Sequence, residues 1–175
     1  MDRFKVVGGA RLSGTVKVSG AKNSALKLMS ATLLAAGKSK ITNIPAIADV
    51  DYMAELLTRL GCKVEIDNKL GEVSIEVPEM LGRRADYDLV RKLRASINVL
   101  GPLIARAGSA EVALPGGDAI GSRGLDFHIN GLSDMGAEIK LEHGFIVANA
   151  KQRLKGASIT LEFPSVGAKI GRAHV

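Results

Sequence analysis

The hydrophobic pattern of this chain runs through one order of elements twice. Residues Ser24–Ala36 are apolar on nearly every side, as a helix must be if it is buried all round, and Gly37 closes them. Lys40–Ile44 alternates like a strand and stops at Pro45. Asp49–Leu60 places Val50, Met53, Leu56, Leu57 and Leu60 at helical spacing and ends at Gly61, which predicts an amphipathic helix. Lys63–Ile66 and Glu72–Val77 alternate around Asp67–Gly71, which predicts a hairpin.

The order then returns. Asp88–Ala107, carrying Leu89, Val90, Leu93, Ile97, Leu100 and Ile104, predicts a second long apolar helix, kinked at Gly101-Pro102 and closed by Gly108. Glu111–Leu114 reads as a strand, Asp126–Met135 as an amphipathic helix, and Glu138–Glu142 with Phe145–Ala148 as a hairpin. The helix-ending glycines Gly37 and Gly108 lie 71 residues apart, and Gly61 and Gly136 lie 75 apart. The extra residues fall in a Gly-rich loop of the second copy, so the pattern predicts a tandem duplication. Phe4–Val7 and Gly14–Val18 read as strands ahead of the first copy. Ser158–Glu162 reads as a strand after the second, and Ser165-Val166-Gly167-Ala168 is similar to Ser19-Gly20-Ala21, as if a third copy began. Alternating strands leave one sheet face in water, and helices apolar all round must sit inside. The economical arrangement is an inside-out α/β fold with central helices and outer sheets.

Composition narrows the function. With 24% charged and 46% hydrophobic residues, the chain has an ordinary globular balance. Its net charge of +6 suits anionic partners such as phosphorylated metabolites. Aromatics make up only 3%, which argues against single-stranded nucleic acid, whose readers need stacking platforms. The longest apolar run, Leu28–Gly37, falls far short of a membrane span. Met1–Phe4 leads into a strand pattern rather than a signal peptide, and a lone Cys62 excludes an intrachain disulfide, so a cytoplasmic protein is expected. His128, His143 and His174 have no ligand partners at metal spacing, and neither a P-loop nor a dinucleotide fingerprint is present; no metal and no cofactor are expected.

Three features carry candidate chemistry. Leu114–Arg123 cannot form a regular element, because it holds Pro115 and the glycines Gly116, Gly117 and Gly121; it reads as a loop bearing one acid, Asp118, and one base, Arg123. By itself such a loop is a solvated turn. Lys22 opens the first apolar helix, where a cation opposes the macrodipole unless an anion lies between them; the plainer reading is a surface lysine with a packed stem. Arg91, Arg94 and Asn98 share one face of the second long helix, which is either a solvated stripe or an anion contact.

Together these residues resemble a known family. Lys22-Asn23 after Ser-Gly-Ala, Arg94-Ala95-Ser96, and the loop Leu114-Pro115-Gly116-Gly117 with Ile120-Gly121 and Arg123 are similar to the UDP-N-acetylglucosamine enolpyruvyl transferases, within the EPSP synthase-like family, from Met1 to about Ala168. The resemblance implies an EPSP synthase-like, inside-out α/β barrel of repeated βαβαββ units, truncated here. It implies transfer of enolpyruvyl from phosphoenolpyruvate to the 3-hydroxyl of UDP-N-acetylglucosamine with release of phosphate, the first committed step of peptidoglycan synthesis. Asp118 stands where the family's proton donor is most often cysteine. Lys22 and Asn23 are implied for phosphoenolpyruvate. Arg94, Arg123, Gly124, Leu125, Asp126, Phe127, Ser165 and Val166 are implied for the UDP-sugar, with Arg91 left as surface. Phe163-Pro164 differ from the residues common in the family, so only Ser165 and Val166 carry over from that segment.

The resemblance also divides the chain. Residues 1–21 are expected to belong to the second domain of a full-length protein, and residues 22–168 to an incomplete first domain, with unit one at about 22–87, unit two at about 88–157 and the start of unit three at 158–168. Residues 169–175 resemble a translated sequencing adapter. Lacking the C-terminal domain that would complete the site in the same chain, this portion is expected to be inactive alone. The expected partners are phosphoenolpyruvate and UDP-N-acetylglucosamine, with no nucleic acid and no membrane. The alternatives are a 3-phosphoshikimate 1-carboxyvinyltransferase-like enzyme, against which the Pro-Gly-Gly-Asp loop argues, and a non-catalytic anion-binding repeat protein.

Overall fold

The structure, a computed structural model, describes residues 3–9, 11–114 and 125–162. The first repeat begins with helix α1 (Lys22–Ala31), which tightens into a 3-10 turn at Thr32–Leu34. Strand β1 (Gly37–Thr42), helix α2 (Ala48–Arg59) and the hairpin of β2 (Lys63–Asp67) and β3 (Glu72–Val77) follow. The second repeat opens with the short strand β4 (Arg84–Ala85) and helix α3 (Tyr87–Val90). A 3-10 turn at Arg94–Val99 leads into helix α4 (Leu100–Ala107). Strand β5 (Ser109–Ala113), helix α5 (Asp126–Asp134) and the hairpin of β6 (Glu138–Glu142) and β7 (Phe145–Asn149) complete it.

The duplication appears in the strand orders. One sheet runs β1-β3-β2, all antiparallel, and the other β4-β5-β7-β6, with only β4 parallel to its neighbour. Strands β1, β3 and β2 therefore correspond to β5, β7 and β6, and the outer edge of β1 is the counterpart of the edge that β4 covers. Alternation along β3 is complete: Val73, Ile75 and Val77 are buried, while Ser74 and Glu76 face water. Each sheet thus has one wet face, and its apolar face closes on the helices. The helices in turn pack on one another, α1 against α2 and the Arg94–Val99 turn, and α4 against the Thr32–Leu34 turn. Leu26, Met29, Leu33, Met53, Leu57, Leu100, Leu103 and Ile104 are essentially inaccessible and belong to one core cluster. Each such side chain contributes on the order of 1.5–3 kcal/mol by leaving water.

Four expectations need correction. The long helix over Asp88–Ala107 is not continuous, nor is it kinked at Gly101-Pro102. The break lies at Leu93, whose φ of −135° and ψ of 103° are extended, and the following turn is 3-10. Pro102 sits within the first turn of α4, where its missing N–H is tolerated; it leaves the Asn98 carbonyl without an α-helical donor, which fits a helix that starts anew at Leu100. The pattern Phe4–Val7 and Gly14–Val18 forms no strand: Phe4, Val6, Val7, Leu12, Val16 and Val18 are all more than 79% exposed. Alternation gives a strand its faces but not its ladder, and among the described residues no neighbouring strand is placed against these. Ser158–Glu162 is likewise without strand pairing. Gly37, with φ 118°, starts β1 rather than ending the helix. Strand β4 is an addition, since two residues are too few for any periodicity.

Candidate functional site

Lys22 is the first residue of α1, and the N-cap before it, Ala21, makes no side-chain hydrogen bond. The first amides of α1 are therefore left without an internal or capping acceptor, the arrangement that attracts anions. No acidic residue lies in this turn, and Lys22 and Asn23 are exposed. The approach to the helix is fixed by a tight contact: a Cβ added to Gly20 would lie 1.7 Å from the Asn43 carbonyl oxygen. Asn43 has φ 57°, a left-handed conformation that a short amide side chain tolerates. Thus the loop between β1 and α2 presses on the chain two residues before Lys22.

The Lys22 ammonium is paired. Its Nζ lies 2.6 Å from Asp49 Oδ2, in the first turn of α2. The sequence pattern registered Asp49 only as the start of an amphipathic helix; the pairing joins two elements and leaves no local trace. The helices are in firm contact behind it, where Ser30 Oγ on α1 approaches Met53 Sδ on α2 at 3.8 Å.

Arg94 begins the 3-10 turn packed against α1 and is half-buried. Arg91, Arg94 and Asn98 do not share one helical face, because the chain is extended between the first two. Arg91 is exposed, with its guanidinium 5.2 Å from the centre of the Tyr87 ring, whereas Asn98 is buried. Leu125 is the N-cap of α5, Asp126 stands exposed in its first turn, and Phe127 is half-buried. The described candidates thus all fall at the starts of helical elements. Contacts join α1 to the turn bearing Arg94, while α5 packs on β6. Asp118, Arg123, Gly124, Ser165 and Val166 lie outside the described residues.

Two buried groups escaped the sequence pattern. Lys27 on α1 is 7% exposed although its neighbour Leu28 is 47% exposed, and burial lowers the Lys27 pKa from 10.5. Ser96 Oγ is fully buried with no hydrogen-bond partner among the described residues. Cys62 is buried, and the same desolvation pushes its thiol from 9.0 up to about 11. Among the described residues no group of His, Cys, Asp and Glu could hold a metal, and no helix is long and apolar enough to cross a membrane.

Comparison with known proteins agrees with this architecture. The chain is 59% identical over 167 residues to a UDP-N-acetylglucosamine 1-carboxyvinyltransferase of Corynebacterium jeikeium, a match covering 95% of this chain and 39% of that protein. It is 57% identical to the protein so named in Mycobacterium tuberculosis, with the same coverage, and 51% identical over 170 residues to that of Caulobacter vibrioides, covering 96% and 40%. It therefore spans about two fifths of the length of these relatives. Among solved structures, the enolpyruvyl transferase NikO from Streptomyces tendae superposes with a TM-score of 0.69 at 24% identity, over 85% of this chain and 32% of that one. EPSP synthase from Acinetobacter baumannii gives 0.68 at 20% identity, over 91% and 37%. Both share the fold. The family described as EPSP synthase (3-phosphoshikimate 1-carboxyvinyltransferase) matches residues 6–170, and the chain belongs to that family.

Proposed function

We propose that this chain is the N-terminal portion of a cytoplasmic UDP-N-acetylglucosamine enolpyruvyl transferase. The full-length protein would join the enolpyruvyl group of phosphoenolpyruvate to the sugar 3-hydroxyl and release phosphate, supplying peptidoglycan synthesis and hence cell shape and division. The observation that carries this reading is Lys22 at the uncapped start of α1, in a chain 51–59% identical to relatives of that name. Lys22 and Asn23 bind phosphoenolpyruvate. Asp118 donates a proton to its C3 as positive charge develops at C2. Arg94, Arg123, Gly124, Leu125, Asp126, Phe127, Ser165 and Val166 hold the UDP-sugar. A carboxylic acid can make that donation only if burial or nearby phosphate charge keeps it protonated near neutral pH.

Residues 1–21 belong to the second domain in this reading, and residues 22–168 to the first, with 169–175 a non-native tail. The exposed apolar residues from Phe4 to Val18 support this, since such surface is normally covered. The 3-phosphoshikimate reading is less favoured, because the relatives at 51–59% identity carry the UDP-N-acetylglucosamine name, whereas the EPSP synthase of Acinetobacter baumannii is only 20% identical. The test is phosphate release from phosphoenolpyruvate by the full-length protein, with UDP-N-acetylglucosamine or shikimate 3-phosphate as acceptor. Turnover with the UDP-sugar, none from the 175-residue chain alone, and loss of turnover in Asp118→Ala are expected. Asp118→Cys should stay active, because a thiol also donates a proton, and should newly react with an epoxide inhibitor such as fosfomycin, because a thiolate opens epoxides. Turnover with shikimate 3-phosphate only, or full activity in Asp118→Ala, would overturn the assignment.

A further inference from the structure

We propose that Asp49 is a positioning residue for the anion site at Lys22: it holds the ammonium while no anion is bound and, by competing for it, sets how tightly an anion binds. This rests on Lys22 being an anion-binding residue, as argued above.

The two partners are held unequally. The Asp49 side chain is 29% exposed and that of Lys22 56% exposed, at a separation of 2.6 Å. Asp49 lies in the first turn of α2, where the helix dipole favours negative charge, and Asp51 shares that turn. Lys22 lies in the first turn of α1, where the dipole disfavours positive charge and no acid of its own helix offsets it. The carboxylate is therefore the anchored partner and the flexible lysine the one that can swing away. The close approach of Gly20 to Asn43 holds the chain ahead of α1 against the chain ahead of α2, and the Ser30–Met53 contact joins the far end of α1 to the middle of α2, so the pair belongs to the packing of α1 on α2.

An anion arriving at the start of α1 would assume the role that Asp49 plays. The anion and Asp49 must share the charge and the three N–H donors of one ammonium, and two negative charges a few ångströms apart repel. Binding therefore requires Lys22 to leave Asp49, at least in part. The competition lowers affinity for any anion, and it gives Lys22 a partner to return to when a released phosphate departs.

The experiment titrates inorganic phosphate, at low ionic strength, into the 175-residue chain while the Lys22 side-chain resonance is followed by NMR, with Lys22→Met providing the assignment. Asp49→Asn should bind phosphate about two- to fivefold more tightly than the parent, the range for a partly exposed ion pair. Asp49→Ser should shift affinity the same way, guarding against a folding defect peculiar to one substitution; circular dichroism checks each variant. The gain should vanish when Asp49→Asn is combined with Lys22→Met. Equal or weaker binding in both Asp49 variants overturns the proposal. So does a gain that persists without Lys22, since that would be plain repulsion by Asp49. Phosphate reaching Lys22 with the same affinity in every Asp49 variant sinks this inference alone, whereas no phosphate at Lys22 in any variant sinks the anion-site reading with it.

Discussion

The Arg106 guanidinium donates from Nη2 to the Pro78 carbonyl oxygen at 2.6 Å, which ties the last turn of α4 to the end of β3. Two further carbonyls accept from the same group, Leu33 at 3.2 Å and Glu79 at 3.0 Å. Leu33 lies in the 3-10 turn that ends the first central helix, where a cation meets the negative end of the dipole. One side chain of the second repeat thus satisfies three backbone acceptors of the first. Arg106→Ala is expected to cost on the order of 2–4 kcal/mol, because hydrogen bonds to a charged group are strong and carbonyls at the seam lose their donor. Arg106→Lys should recover only part of this, since an ammonium lacks the planar fork. Urea unfolding midpoints provide the measurement; a loss below about 0.5 kcal/mol in the alanine variant would mean that water replaces the guanidinium without penalty.

Gly20 is predicted to be intolerant of any side chain. A Cβ there would meet the Asn43 carbonyl oxygen at 1.7 Å and its carbon at 2.9 Å, both backbone atoms of a residue already held at φ 57°. The segment before α1 buries little, so Gly20→Ala should relieve the clash by swinging that segment away rather than by unfolding the core. The global midpoint should move by less than about 1 kcal/mol, while amides in the first turn of α1 exchange faster and phosphate binding at Lys22 weakens. Unchanged exchange in that turn would show that Gly20 and Asn43 do not fix its position.

What could be read from the sequence depended on how local each determinant was. The β6–β7 hairpin was legible almost to the residue, because alternation fixes its faces and His143-Gly144, at φ 49° and 80°, supply a two-residue turn between them. Helix α2 was legible for the same reason, with its apolar stripe wholly local. The break at Leu93 was not, because apolar spacing barely separates a continuous helix from a helix, an extended residue and a 3-10 turn. Residues 4–7 and 14–18 have the alternation of strands, but alternation cannot supply a neighbouring strand. The motif pointed to Lys22, Asn23 and Arg94 as candidates, whereas Asp49 beside Lys22 could emerge only from packing, since nothing in the spacing of α1 and α2 reveals that their first turns meet.

Cys62 should be chemically silent in the folded chain. Its side chain is buried, and desolvation raises the thiol from 9.0 to about 11, with the Arg106 charge pulling weakly the other way. The folded state therefore prefers the neutral thiol. That contribution to stability is complete below pH 9.0 and is lost between pH 9.0 and about 11, because the unfolded thiol ionises first. With Ellman's reagent at pH 8, the native chain should react only at its rate of opening, and the urea-unfolded chain at once. Fast, stoichiometric reaction of the native chain would contradict the burial.

Lys27 reverses the expected pattern of α1. Asn23, Lys27 and Ser30 recur at helical spacing on one side, so the lysine continues the stripe that starts at the site and then runs into the core. Among the described residues its ammonium has no ion pair or hydrogen bond, and burial holds its pKa below 10.5. The sign follows from linkage. When the folded pKa is the lower one, the folded chain binds fewer protons than the unfolded chain, so stability rises with pH from the folded value up to 10.5. Below that window the charged lysine is a standing penalty, softened if its long stem lets the ammonium reach toward water. Lys27→Met keeps the length and removes the charge. It should therefore stabilise the chain at pH 7, by on the order of 1 kcal/mol, with the gain shrinking as pH approaches 10.5. Thermal melts of both chains at a series of pH values make the comparison. A methionine variant that is less stable at pH 7 would mean that the ammonium has an anionic partner in solution, and a gain independent of pH would assign the effect to packing rather than to charge.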